Sequence, residues 1–277
     1  MKRWLLWTLA AVLTLIVLVL TALAVMLRSD AGTRWVLEQI PGLTLTGDSG
    51  SLVGHWQAQH VRWQGYGVIA EVDQPDFEWS PGCLFKGVVC VDRLLAERID
   101  ITLAPSEAPA DDQPFQLPSI DIPLGIAVGD VRLGPLSVNE SEIWQSFTLE
   151  VEASGAAWRI KDFNAVFGDV EVGAEGTLET RGDWPLNLNV DVSLPSPDAE
   201  KQWLLDLNLA GSAHDLRIQG ESSGYLDASL NGVTRPFEPG LPAKAHVTSD
   251  AFTPSAALPD TLTIKQWVLD LDGSLDD

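Results

Sequence analysis

Hydrophobic and polar residues alternate one for one along most of the chain, the period of a strand with one dry and one wet face. The clearest run is Trp184 to Leu194: Leu186, Leu188, Val190, Val192 and Leu194 fall on one face, Asn187, Asn189, Asp191 and Ser193 on the other. Phe147-Leu149-Val151-Ala153 against Thr148-Glu150-Glu152 reads the same way, as does Ile120-Ile122-Leu124-Ile126-Val128. So do Val170-Val172-Ala174, Trp203-Leu205-Leu207-Leu209, Leu216-Ile218 and Leu226-Ala228-Leu230. Turn signals separate these runs, among them Ser154-Gly155, Arg181-Gly182-Asp183, Gly211-Ser212, Ser223-Gly224 and Asn231-Gly232. Strands with one apolar face, recurring every ~10–15 residues, predict an all-β body: a sandwich, a barrel or an open curled sheet.

Three segments break the alternation. Trp4 to Leu27 is an uncharged apolar run of 24 residues. About 20 such residues span a bilayer core, so the run reads as a transmembrane signal anchor. Lys2 and Arg3 ahead of it keep the N-terminus cytoplasmic by the positive-inside rule. Ala22-Leu23-Ala24 also resembles a signal-peptidase site, which leaves cleavage open; either way the remainder is exported. Ser29 to Ile40 reads as a short helix, capped by Ser29 or Asp30 and stopped by Pro41-Gly42. Its Val36, Leu37 and Ile40 could close the end of a sheet. Ala104 to Pro118, with four prolines and three acids, cannot hold a ladder and reads as a linker. The expected organisation is therefore an anchor over 1–28, a helix over 29–42, a first β unit over 43–103, the linker over 104–118 and a second β unit over 119–277. The last alternation, Trp267-Leu269-Leu271, has no capping element after it, which predicts a truncated sheet.

Net charge is −22, and the residues after Arg28 carry 14 basic against 39 acidic groups. Such a body is repelled by nucleic acid and by anionic headgroups, so nucleic-acid binding is excluded as a function class. The charge keeps an apolar-rich sheet protein soluble. Eleven Trp against two Tyr suit surfaces with a dry and a wet side, or a Trp-rich core.

Candidate chemistry is sparse. Cys83 and Cys90 bound the segment CLFKGVVC, with Lys86-Gly87 as a turn, and in an oxidising compartment read as a disulfide. A zinc site from His55, His60, Cys83 and Cys90 has the ligand types but lacks tight Cys spacing. Gly47-Asp48-Ser49-Gly50 resembles the nucleophile segment of trypsin-like proteases, yet no His precedes Ser49. There is no nucleophile elbow, P-loop or dinucleotide fingerprint. The expectation is a protein without catalytic residues, metal or cofactor.

A set of short motifs resembles the N-terminal region of the TamB family, the inner-membrane subunit of the translocation and assembly module, within the AsmA-like group. In order they are the anchor; Gly32-Thr33-Arg34-Trp35-Val36-Leu37 ending at Pro41-Gly42-Leu43; Gly50-Ser51-Leu52-Val53-Gly54; Phe77-Glu78-Trp79-Ser80-Pro81 before Cys83; Leu84-Phe85-Lys86-Gly87; and Cys90-Val91-Asp92-Arg93-Leu94. They cover about a third of the chain; the rest matches in style alone. The resemblance implies a single-pass bacterial inner-membrane protein with a periplasmic body. It implies an elongated, curled, taco-like sheet with an apolar groove, and a missing C-terminal domain that meets an outer-membrane Omp85-type barrel. Roles in phospholipid movement between membranes and in outer-membrane protein assembly follow from it. The groove would be lined by Leu186, Leu188, Val190, Val192, Leu205, Leu207 and Leu209, with phospholipid acyl chains as the partner; ordinary core packing is the alternative for the same residues. Two further readings stay open: a chaperone-like module taking outer-membrane protein strands by β-augmentation, and a structural spacer.

Overall fold

The computed structural model describes residues 14, 15, 18, 21, 26, 28–104, 117–197, 201–238, 240–250 and 264–274. The anchor run Trp4–Leu27, five positions apart, and most of the linker lie outside the described residues. Among the described residues no helix is long and apolar enough to cross a membrane.

One helix opens the body. α1 spans Asp30–Leu37, and the Ser29 hydroxyl accepts the Gly32 N–H at its start, relieving one orphan donor. It docks through Thr33 Oγ1, which accepts the Leu52 N–H at 3.1 Å, through an Arg34–Asp48 ion pair at 3.2 Å, and through buried Leu37. The Gly47-Asp48-Ser49-Gly50 motif is thereby accounted for structurally: Asp48 holds the helix and Ser49 Oγ accepts from Gln57.

The remainder is strand. β1 (Leu43–Thr46), β2 (Ser49–Gly50), β3 (His55–Gln57), β4 (His60–Gly65), β5 (Val68–Asp73) and β6 (Asp76–Ser80) come first. A 3₁₀ turn, Pro81–Lys86, leads to β7 (Val88–Ala96) and β8 (Arg98–Leu103). β9 (Ile122–Leu133), β10 (Leu136–Val138), β11 (Ser141–Trp144) and β12 (Ser146–Gly155) follow. Then come β13 (Ala157–Phe167), β14 (Val170–Glu179), β15 (Pro185–Leu194) and β16 (Trp203–Ser212). β17 (Leu216–Gly224), β18 (Ala228–Thr234), β19 (Ala243–Ser249) and β20 (Trp267–Gly273) complete the order.

These form a six-stranded sheet, β1-β4-β5-β8-β10-β11, and a fourteen-stranded sheet, β2-β3-β6-β7-β9-β12 and then β13 to β20 in sequence order. The first six strands of each sheet correspond one to one. β1 and β2, β4 and β3, β5 and β6, β8 and β7, β10 and β9, β11 and β12 are the two halves of six long strands, each interrupted for one or two residues. The two sheets are therefore one sheet creased along a seam. Backbone hydrogen bonds run through the seam: Gln59 N–H to Thr46 O, Gln74 N–H to Gln59 O, Glu97 N–H to Asp73 O and Gly134 N–H to Ala96 O, each 2.9 Å. The seam residues explain the bend. Gln74 has φ 50° and precedes Pro75, while Gly134 precedes Pro135 and lies so close to Glu97 that a Cβ there would sit 1.9 Å from its carbonyl oxygen.

The proline-rich stretch does not divide the body into separate sheets. Strands on either side of it pair directly: β7 with β9 and β8 with β10, both parallel, where the other pairings are antiparallel. A parallel neighbour needs the chain to return along the full strand before pairing. From Val88 to Leu103 that is about 50 Å, which takes on the order of 15 extended residues. The 18 positions from 104 to 121 are enough in sequence to meet that length.

The apolar sides of both sheets face into the crease. Trp144 of β11 and Phe147 of β12, on opposite sides of the seam, have ring centroids 5.3 Å apart, and Phe147 meets Phe163 edge-on at 5.4 Å. The buried strand hydrophobics belong to β7, β9, β10, β12 and β13: Ala96, Val131, Leu136, Val151, Ala153 and Ala165. From β14 onward, among the described residues, no hydrophobic strand residue is buried. Among the described strands β2 and β20 are unpaired edges, so the large sheet is open, not a closed barrel.

Candidate functional site

The register of the large sheet lines up the inward residues into rows running across the strands. One row starts Trp56, Phe77, Leu94, Val131, Leu149, Phe163 and Ala174. It continues Val190, Leu207, Gly220, Leu230, Val247 and Leu269. No polar residue interrupts these thirteen strands, and at ~4.8 Å per strand the row is about 58 Å long. A second row beside it is equally apolar: Trp79, Val91, Val128, Val151, Ile160, Gly176, then Leu188, Leu209, Ile218, Gly232, Ala245 and Leu271. Alternation sets which residues point inward, but the β-bulges keep the rows continuous. The register shifts between β9 and β12, and between β13 and its neighbours, re-aim Val128 and Ile160 onto the same face.

The seven groove candidates stand together in this surface. Val190 pairs with Leu207, Leu188 with Leu209, Val192 with Leu205, and Leu186 sits opposite Gly211. All seven are partly exposed, neither buried nor open to water on every side. Neighbours within the sheet shield their flanks, and among the described residues no second layer caps them. A residue in a sandwich core would be shielded on that side too.

The outward face is polar and acidic. Asn208 Nδ2 donates to the side-chain oxygens of Asn189 (3.0 Å) and Asn187 (3.3 Å). Lys161 bridges Glu150 and Glu152 at 3.0 and 2.7 Å, which raises the ammonium pKa and lowers that of Glu152. Asp191 and Asp206 face each other across β15 and β16. Partial desolvation pushes the Asp191 carboxyl up, reinforced by its hydrogen bond with Asp206 and by repulsion from Asp206 and Glu175. A cavity of about 890 Å³ is lined by residues of both kinds, polar Glu152, Arg159 and Asn187 together with apolar Trp158, Leu178 and Leu186.

A raised folded pKa means the folded state holds its proton longer, so this carboxyl favours folding below the ordinary Asp range and that contribution is lost as pH rises through the raised value. Asp191→Asn should therefore stabilise the protein at neutral pH by about 0.5 kcal/mol, the size of a cross-strand charge pair, with the gain gone at pH 3. Urea melts at the two pH values test it.

Cys83 and Cys90 are joined in a disulfide (Cα–Cα 5.9 Å) that closes the 3₁₀ turn onto β7. With both thiols bonded, zinc ligation by them is removed. His55 instead pairs with Asp76 at 3.0 Å and His60 with Asp73 at 2.7 Å. Among the described residues no three His, Cys, Asp or Glu side chains gather where they could hold a metal.

A family model for the TamB N-terminal domain matches residues 18–143 and 113–277, which together span nearly all of the chain. The chain belongs to the TamB family. No curated protein and no solved structure matches it. The TamB motifs gather at the first end of the sheet. Trp79 Nε1 donates to Leu52 O at 2.6 Å, tying the Phe77–Pro81 motif to the Gly50–Gly54 turn, and Leu52 N–H reaches Thr33 of the helix motif. Inner-membrane anchoring and a place in the translocation and assembly module are properties of the TamB family.

The sequence did not reveal the crease or the shared sheets around the linker. The signal was present as short breaks in alternation, Gln74-Pro75 and Gly134-Pro135, which read as ordinary turns when taken singly.

Proposed function

We propose that the creased sheet is a trough that carries phospholipid acyl chains between the inner and outer membranes, within the translocation and assembly module. The observation that carries the reading is the uninterrupted apolar row from Trp56 to Leu269, in which no residue from Ala174 onward is buried. Each methylene removed from water gains ~0.8 kcal/mol, so two lipid tails left in water cost ~20 kcal/mol or more. A face about 58 Å long and four inward residues deep, about 20 Å, is long enough to seat a tail at every step. The acidic outer face leaves the headgroup side wet. No nucleotide-binding motif supplies energy, so movement along the trough is passive or driven by a partner. The outer end of the path would be completed by an Omp85-type barrel.

A photo-crosslinking residue at Val190, in the full-length protein in cells, should give phospholipid adducts several-fold above those at outward Asn189, since the two positions differ only in the face they present. Equal adducts at both would remove the conduit.

A chaperone-like role would use a sheet edge in place of the apolar face. A client strand added there would crosslink to the backbone edge and leave Val190 untouched.

A further inference from the structure

The disulfide-closed turn between β6 and β7 presents the most exposed phenylalanine of the described residues. Phe85 is 96 % exposed and Leu84 43 % exposed. An exposed side chain could fold down onto the sheet to save apolar surface. This one is held out, because Cys83–Cys90 ties the turn at its base and Gly87, at φ 74°, reverses the chain directly after Lys86. A rigid, protruding aromatic tip is a device for entering an apolar medium, not for packing within the molecule.

Charge singles out the same turn. In a chain of net −22, the stretch from Trp79 to Val91 holds no acid and one cation, Lys86. The rest of the body repels an anionic surface; this turn does not.

Position identifies what the tip would meet. Arg28 alone separates the hydrophobic run Trp4–Leu27 from Ser29, the cap of α1. α1 is bonded to Leu52 through Thr33, Leu52 is bonded to Trp79, and Pro81 opens the turn two residues later. The tip is thus tied, through Trp79, Leu52 and Thr33, to the helix that follows the hydrophobic run directly in sequence. On the adjoining inward face, Trp79 and Val91 begin the second apolar row.

We propose that Leu84, Phe85 and Lys86 insert into the periplasmic leaflet of the membrane that anchors the chain. Leu84 and Phe85 enter the headgroup–acyl boundary and Lys86 pairs with lipid phosphate. The contact holds the mouth of the apolar rows against the leaflet. It does not depend on lipid transport: a spacer with the same anchor would make it too.

The test uses the full chain in vesicles of phosphatidylethanolamine and phosphatidylglycerol. An environment-sensitive fluorescent amino acid replaces Phe85 or, as reference, Phe167, which lies at the β13–β14 turn and is 42 % exposed. Lipids spin-labelled near the head of the acyl chain should quench the probe at 85 roughly threefold more than at 167, because interfacial residues sit only ~5–10 Å into the boundary. Lys86→Glu should reduce that quenching, and reduction of the disulfide should weaken it as the tip folds back. Equal quenching at 85 and 167 overturns the proposal. So does capture of a protein in place of lipid by a crosslinker at 85. Adducts at Val190 are read separately, so a conduit without this contact and a contact without a conduit give different results.

Discussion

Leu207→Asp should abolish lipid movement while leaving the protein nearly as stable as before. In an ordinary sandwich these effects could not be separated, since an unpaired charge in a closed core costs about 3–5 kcal/mol and unfolds a marginal domain. Leu207 is partly exposed and capped by no second layer among the described residues, so its carboxylate replacement can reach water from the open side. The expected stability loss is the partial hydrophobic contact of one leucine, about 1 kcal/mol. A lipid tail gains no such escape. It must slide past the position, and a charge placed in hydrocarbon costs about 2.5–3.5 kcal/mol, on the order of 100-fold in rate. Phospholipid exchange between the two membranes of cells dependent on this chain measures the first effect, and urea melting measures the second. Asn208→Asp, on the opposite face of the same strand, should move neither by a comparable amount.

The second large effect is at the crease. Gly134→Val should destabilise the first half of the sheet by about 3 kcal/mol or more, since a Cβ at 134 would stand 1.9 Å from the Glu97 carbonyl oxygen and 2.8 Å from its carbon. Both are backbone atoms, so no side chain can swing away. Relief requires the seam to open, breaking the Gly134 N–H to Ala96 O bond and the neighbouring Ile99 N–H to Pro135 O bond. Because each strand touches chiefly its neighbours, damage should stay near β7 to β12, as in other laterally extended architectures. Hydrogen exchange should show lost protection at the amides of position 134 and Ile99, with protection retained from β15 to β18. Gly82→Ala, where an added Cβ meets nothing within 4 Å, is the neutral control.

Residues differ in how far the sequence alone exposes their role. Leu186 to Leu194 could be read as one face because strand alternation is local: each residue's side is fixed by its immediate neighbours. Ser29 and Pro41-Gly42 bracket a helix for equally local reasons. The crease is different. Whether Gln74-Pro75 ends a strand or bends it depends on what Gln59 and Glu97 do one strand away, and those bonds close between segments distant in sequence. The linker shows the same limit. Its composition argues against a ladder but says nothing of whether its flanks meet, and they do, as the parallel pair β7–β9. The bulges at β12–β13 and β13–β14 are also invisible to strict period-two counting, which would turn Ile160 and Phe163 to opposite faces when the sheet has both inward. The choice between packed core and open trough rests on what covers the face, and that is a property of the assembled sheet.

The most direct test of the uncapped face is a single thiol at Val190. Cys83 and Cys90 are bonded and no other cysteine is present in the sequence, so Val190→Cys gives one reactive site. Full-length protein stripped of lipid is treated with a small uncharged thiol reagent under native conditions, beside Asn189→Cys as the outward reference. An uncapped trough predicts labelling at 190 within about tenfold of the rate at 189, without unfolding. Protection of 190 by about a thousandfold or more, released only when the whole domain melts, would mean that protein covers the row and that no lipid path exists there.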